Sequence, residues 1–424
     1  MKMQGGDRRD GAPRVAVIGA GIVGVSTALW LGRFGAEVTL IDRAAPGAGA
    51  SAGNAGVLAA SAVRPSLDRA ALRAAPGMLF DRDAPLFLRW SYLPRLLPWL
   101  ARALRHVGEA EVGRISDALG HLVTDAVAAH EAAARGTAAA RYLQRSDYVY
   151  GFRDAAAFAE AGPALAVKAA AGFAHVRLSG AAVQEYDPAL GPGLGEIAVL
   201  GAHGFITDPE GYVAALAAGF EAEGGRVRRA EVRDLACTGG RITGIVLDGE
   251  VLPCDHAVIA MGAASARLLK AVGLSLPLET ERGYHLQLRG TGGAPRQPVM
   301  VAEGQFVATP MAKGVRLAGI LELGGLAAGP SPAPFGLLRR LGARAFPGLD
   351  FTDAEEWMGH RPALPDSLPL LGQVGATGVW GAVGHHHVGL TGGPKSGRLL
   401  AETLMGRRPN LDLAPFRAER FARP

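Results

Sequence analysis

Two cysteines, Cys237 and Cys254, are all that 424 residues contain. They form neither a CxxC pair nor a metal-site spacing, which excludes a disulfide framework and a cysteine zinc site and leads us to expect a reducing compartment. An excess of one charge is also missing: 44 basic residues against 39 acidic ones leave a net charge of +5. No long Lys/Arg run supplies the electrostatic footprint of a nucleic-acid binder. Internal repeats are absent. Apart from the uncharged stretch Val15 to Gly32, so is any apolar run long enough to cross a bilayer. Arg8-Arg9 ahead of that stretch imitates a twin-arginine signal, but no small-residue cleavage site follows. Residues 1–13 are therefore expected to form a mobile polar leader, on a cytoplasmic protein that is at most peripheral to the inner face of a membrane. With 49% apolar residues, the chain can bury a large core spread over two or three lobes.

What is present begins at once. VAVIGAGIVGVSTALWLGRFGAEVTLID, Val15 to Asp42, reads as a buried strand, a glycine turn, a helix and a second strand ending in a carboxylate. Gly19 allows a tight turn, Gly21 a close approach to a pyrophosphate, and Gly24 tight packing of helix on strand. The first helical turn, through Ile22 and Val23, offers backbone N–H groups and a positive dipole to phosphates. Asp42 stands where an acid accepts hydrogen bonds from a ribose 2′-OH, an arrangement that repels the 2′-phosphate of NADP. A structural glycine turn could carry the same triplet, but not the acid in register with it.

A small-residue loop, Gly47 to Gly56, follows. Leu86 to Val107 mixes Trp90, Tyr92 and Trp99 with four arginines, and Pro94 and Pro98 are expected to break it into short turns. This segment suits a membrane interface, although an interior helix pair is the preferred reading. A long helical pattern from Glu109 to Ala134 is expected in a lobe outside the nucleotide fold. Asp208-Pro209 announces another helix, after which strands are expected at Arg226 to Val232, Arg241 to Leu247 and Glu250 to Leu252, with an Asp248-Gly249 hairpin. Ala257 to Ala260 reads as a parallel strand opening onto Gly262, and residues 280–325 as an antiparallel sheet. Gly384 to Gly393 is a glycine-rich turn before a last helix.

Five strings together resemble one family: VIGAGIVG, the Ser51 to Gly56 loop, VIAMGAAS, RPALPDSLPLLG and GHHHVGLTGGPKSGRLLAE. They are similar, in order, to the FAD-dependent D-amino acid oxidase/glycine oxidase superfamily, and within it to bacterial D-amino acid dehydrogenases. The resemblance implies an α/β FAD-binding domain of the Rossmann-like, glutathione-reductase type, built from residues 14–62, 200–270 and 346–424. It also implies an α+β substrate domain, residues 63–199 and 271–345, with a mostly antiparallel sheet.

It further implies site residues. Gly19, Gly21, Ile22, Val23, Gly24, Asp42, Arg43, Val232 and Gly262 would hold the ADP half of FAD. Ser51, Asn54, Ala55 and Gly56 would contact pyrophosphate and isoalloxazine. Val388, Gly389, Leu390 and Thr391 would lie beneath the flavin edge where negative charge develops, stabilised by a helix N-terminus, with Lys395 either adding charge or simply solvated. Of the consecutive histidines, His386 or His387 would face the site, and no metal is expected. Arg361 would fork onto the substrate carboxylate and border the flavin; the alternative is a surface arginine paired with Asp366. Tyr284 and His285 would contact substrate, or else belong to an ordinary sheet, and Arg282 could pair with Glu322.

The implied reaction is oxidation of a small D-amino acid or a secondary, proline-type amino acid, with the Cα hydride passing to flavin N5. Oxygen, a quinone or another carrier would be the electron acceptor. A glycine/sarcosine-type amine oxidase using oxygen is the alternative enzyme. A nicotinamide-dependent dehydrogenase and a non-catalytic nucleotide-binding subunit of a larger complex are the rivals. Oligomeric state is left open.

Overall fold

A computed structural model describes residues 11–81, 83–290 and 292–421; most of the expected leader lies outside them. The strand Arg14–Ile18 sits centrally in a six-stranded sheet, parallel to Glu37–Asp42 on one side and His256–Ile259 on the other. Arg226–Arg229 and Val379–Val383 extend the sheet in parallel, and Leu370–Gln373 closes one edge antiparallel. The central strand is apolar because it is buried on both faces, as parallel sheets require. Gly24 lets the first helix pack against its own glycine turn, and Gly397 lets the first and last helices touch. An added Cβ at Gly24 would fall 1.8 Å from the Gly19 carbonyl oxygen, and one at Gly397, on Gly389–Leu404, 2.7 Å from the Thr27 amide.

A second, ten-stranded sheet holds Glu279–Leu288 near one end of its order, between Glu355–Ala363 and Gly314–Leu323, all antiparallel. Its own core includes Leu286, Phe306, Leu317, Phe335 and Phe346. By hydrogen bonding, Glu196–Ile206 and Glu355–Ala363 belong to this sheet, although part of the first and all of the second fall in segments expected in the nucleotide domain.

Three expectations need correction. The strand expected at Arg226 to Val232 ends at Arg229 and joins the six-stranded sheet; the Asp248-Gly249 hairpin forms as expected between Arg241–Leu247 and Glu250–Pro253, and an unforeseen strand, Asp234–Thr238, pairs with Arg241–Leu247. The pattern from Glu109 divides into Glu109–Val123 and Ala126–Ala134 around Thr124-Asp125. Neither helix lies outside the nucleotide fold, because Ile115, Leu119, Leu122 and Ala133 share a core with Val25, Leu29 and Leu399. The arginine-rich segment forms a strand, Leu86–Leu88, and a helix, Leu93–Ala103. Pro94 occupies the first turn, where its missing N–H costs nothing. This helix is not interior: it buries Leu96 and Ala103 but leaves Leu97 exposed, and the rings of Phe80 and Trp90, also exposed, meet each other. Among the described residues, no helix is long and apolar enough to cross a membrane.

Candidate active site

The nucleotide end of the site is built on positive φ and open space. Gly19 has φ +108°, donates its N–H to Ile41 O at 2.8 Å, and could not carry a Cβ, which would meet Ala260 O at 2.4 Å. Gly21 is the N-cap of Ile22–Arg33; it has no side-chain cap, and the first turn holds no acid. An added Cβ there would meet only Ser51 Oγ, at 3.4 Å, so the surface above Gly21 is open. An uncapped helix start with open space above it fits a pyrophosphate. Ile22 and Val23 turn their side chains inward against Gly393, which leaves only their backbone for a ligand.

Asp42 already accepts from the Ala20 amide at 2.7 Å and the Ala44 amide at 2.9 Å, one on each oxygen. A carboxylate has about four lone-pair sites, so these two bonds leave room on Asp42 for a further donor. Gly262 follows the strand His256–Ile259 with φ +56°. The Val232 side chain is buried and its carbonyl accepts from Arg267, while the Arg43 side chain is exposed.

The Ser51 to Gly56 loop is held from both ends. Ser51 Oγ accepts from the Ile22 amide at 3.1 Å, and Asn54 Oδ1 accepts from the Gly56 amide at 2.9 Å. Gly56 has φ +79° and stands too close to Ile206 O for a side chain; Ala55 beside it is half-buried. Arg316, which the motifs did not point to, donates from Nη1 to Ala52 O at 2.8 Å and Asn54 O at 2.7 Å. Burial pushes this guanidinium down to about 10.

Trp357 was missed as well. Its indole stacks on His285 with centroids 5.0 Å apart, and it fills the space that a Cβ at Gly53 or Gly359 would need. His285 Nδ1 lies 3.0 Å from Gly53 O, so it must donate, and this commits His285 to holding the loop.

Strand pairing sets Glu281 opposite Arg361 and Gly283 opposite Gly359. The Arg361 guanidinium lies over Gly283, 2.5 Å from where a Cβ would be. Among the described residues its only hydrogen bonds are long ones, to Ile320 O at 3.4 Å and Gly319 O at 3.3 Å, and it forms no ion pair. The surface pairing with Asp366 is overturned, since Asp366 binds Arg420 at 2.8 Å. Burial lowers the Arg361 pKa and Glu281 partly restores it. Glu281 is itself buried. Burial opposes its ionisation, yet His386 and Arg361 hold its carboxyl below the usual range.

The three histidines point three ways. His385 Nε2 meets Ser396 Oγ at 3.1 Å; His387 is exposed and reaches Ser66 Oγ at 3.4 Å. His386, at φ +49°, turns Nε2 to the Leu364 backbone and leaves Nδ1 3.5 Å from Glu281 without a hydrogen bond. The last helix starts at Gly389, inside the turn expected over Gly384 to Gly393; in its first turn and N-cap, Val388, Leu390 and Thr391 are buried and Gly389 is the more open position. Thr391 Oγ1 accepts from the Ala59 amide at 3.2 Å and so ties this turn to the chain just past the loop.

Two further expectations fail. Lys395 is neither solvated nor aimed at the site: its Nζ binds both oxygens of Asp125 at 2.8 Å. Tyr284 takes the opposite face of its strand, inside the second core, where its hydroxyl donates to Glu322 and accepts from the Ser331 amide. The Arg282–Glu322 pair does form, fully buried, at 2.6 Å.

Burial pushes His285 and His385 down to about 3 and the core residue His130 to about 4, from an ordinary 6.5. Between pH 6.5 and about 4 the unfolded chain therefore binds more protons at these positions, so stability is present above that window and is lost as the pH falls through it. Each histidine contributes up to about 1.4 kcal/mol per pH unit. The urea midpoint is expected to fall markedly from pH 7 to pH 5. A flat midpoint would show that these rings are not buried as neutral imidazoles.

Known proteins resemble this chain over most of its length. A D-amino-acid oxidase of Bradyrhizobium diazoefficiens is 38% identical over 96% of this chain and 98% of its own. A D-amino acid dehydrogenase 2 of Pseudomonas aeruginosa is 32% identical over 95% and 97%. The crystal structure of L-proline dehydrogenase from P. horikoshii superposes with a TM-score of 0.71 over 97% of this chain and 98% of that one, at 17% identity, a likeness of fold. Residues 14–403 match the FAD dependent oxidoreductase family, DAO, over most of the chain, and the protein belongs to that family.

Proposed function

We propose that this flavoprotein oxidises small amino acids of D configuration, or secondary amino acids of the proline type, at Cα. The observation that carries the reading is Arg361, a half-buried guanidinium with only long backbone hydrogen bonds and no ion pair among the described residues. A planar donor fork in that state suits a substrate carboxylate. Glu281 and His386 lie beside it and the Ser51 to Gly56 loop sits across the strand, so a carboxylate-bearing ligand would be clamped with its Cα towards the cofactor. FAD, held by Gly19 to Gly24, Asp42 and the loop, supplies the two-electron acceptor for the Cα hydride. The protein supplies orientation, a dry pocket and the positive helix end at Val388 to Thr391. The six-stranded sheet supports a discontinuous nucleotide domain of the glutathione-reductase type, and the ten-stranded sheet supports a separate substrate lobe.

Anaerobic titration of the oxidised holoprotein against D-alanine, D-proline, cis-4-hydroxy-D-proline, glycine and sarcosine tests the reading. Flavin bleaching by one or more of the D- or proline-type substrates is the expected result. Bleaching by glycine or sarcosine alone would favour the amine-oxidase alternative, and no bleaching would favour a non-catalytic subunit. Admitting air, then a soluble quinone, to the bleached enzyme identifies the acceptor. Peripheral membrane contact is supported by exposed Phe80, Trp90 and Leu97 among arginines, and absence of co-sedimentation with anionic vesicles would end it.

A further inference from the structure

We propose that His130 is a positioning residue for the flavin-facing turn, supplying the hydrogen bond that Pro394 denies to the Leu390 carbonyl. The proposal relies on the placement of Val388 to Thr391 against the flavin given above. In an α-helix the carbonyl of residue i accepts from the N–H of residue i+4. Leu390 and Pro394 both lie in the helix Gly389–Leu404 and stand in that relation, and proline has no N–H to give. The Leu390 carbonyl is thus orphaned at the point where the chain turns towards the cofactor.

His130 comes from another helix, Ala126–Ala134, and is fully buried. Its Nε2 lies 2.9 Å from Leu390 O, and its Nδ1 lies 2.8 Å from the Tyr212 hydroxyl. A carbonyl only accepts, so Nε2 carries the proton, Nδ1 accepts, and the Tyr212 O–H donates to it. Both ring nitrogens are therefore in use and the tautomer is fixed. Tyr212 is buried on the helix Pro209–Ala222, so the relay ties the turn to two helices that pack on the nucleotide fold. A core histidine present only for packing needs neither bond, whereas an apolar ring here would leave a buried carbonyl unsatisfied.

The test compares His130→Phe, His130→Gln and Gly389→Ala. The readouts are FAD affinity by fluorescence quenching on the apoprotein, the flavin midpoint potential, and urea unfolding of the apoprotein. An added Cβ at Gly389 meets only His385 Cβ, at 3.4 Å, so alanine should leave apoprotein unfolding unchanged but press on a flavin lying against the turn. We expect His130→Phe to weaken FAD binding roughly tenfold, the effect of one unsatisfied buried carbonyl, and to lower the potential. His130→Gln, which keeps an N–H donor, should recover most of both.

If His130→Phe folds and keeps FAD affinity and potential while Gly389→Ala weakens binding, His130 is packing alone and the proposal fails. If neither variant alters the flavin, the placement of the turn is wrong and the proposal falls with it. Should His130→Phe not fold, Tyr212→Phe removes only the hydroxyl that fixes the tautomer. A smaller loss of FAD affinity is then expected, and no loss overturns the proposal.

Discussion

Arg361→Ala should keep its flavin absorbance and lose about three orders of magnitude in kcat/KM, because truncating a buried charge-assisted contact costs about 2–5 kcal/mol. The loss should appear chiefly in substrate binding, read as a raised concentration for half-maximal anaerobic flavin reduction. Arg361→Lys should recover little, since one ammonium cannot reproduce a planar two-donor fork. The backbone around the position supports the claim. Gly283 leaves room for the guanidinium, and the two weak bonds to Gly319 and Ile320 orient it without satisfying it. Unchanged kinetics in the alanine variant would remove Arg361 from the site and with it the main support for an amino acid substrate.

Glu322→Ala should lower unfolding stability by about 3–5 kcal/mol, the cost of leaving a buried charge unpaired. The Arg282 side chain has 0% exposure, and Glu322 is its only carboxylate partner among the ion pairs of the described residues. The same carboxylate also accepts from Ser331 Oγ at 2.5 Å and from the Tyr284 hydroxyl. Its loss therefore disturbs four side chains, including Arg89 at 3.5 Å. The double variant Arg282→Met/Glu322→Leu should regain much of the stability, because an apolar pair has no charge to desolvate. The flavin spectrum of either folded variant should match that of the parent, since Arg282 and Glu322 lie with Tyr284 on the face of the strand opposite Glu281 and His285. Equilibrium urea unfolding settles it, and a change below about 1 kcal/mol in the single variant would place the pair outside the closed core.

How far the sequence could be read depended on where the information lay. Gly19, Gly21, Gly24 and Asp42 carry theirs locally, within one βαβ unit whose geometry leaves few choices. Arg361 was singled out for another reason: the resemblance of its Gly-x-Arg-Pro segment to the family implied a carboxylate-binding guanidinium there, and the structure removes the alternative pairing with Asp366. Tyr284 and His285 were not legible in this way. Every residue of Glu279–Leu288 is buried, so the alternation that usually separates a core face from a site face is missing. Pairing with both neighbours then put Glu281 and His285 on one side and Tyr284 on the other.

Arg316, Trp357 and Glu281 went unnoticed for a related cause. Each has its role through partners far away in the chain, such as Ala52 for Arg316 and Gly53 for Trp357. Lys395 met Asp125 and His130 met Leu390 in the same manner, across 270 and 260 positions. From the residues alone came the nucleotide fold, its glycines and acid, and the residue type suited to grip a carboxylate, because these depend on backbone conformation and short-range chemistry. Which face each side chain takes, which charges meet, and what replaces the hydrogen bond lost at Pro394 were settled by long-range packing, where burial leaves each polar group only the partners that folding brings within reach.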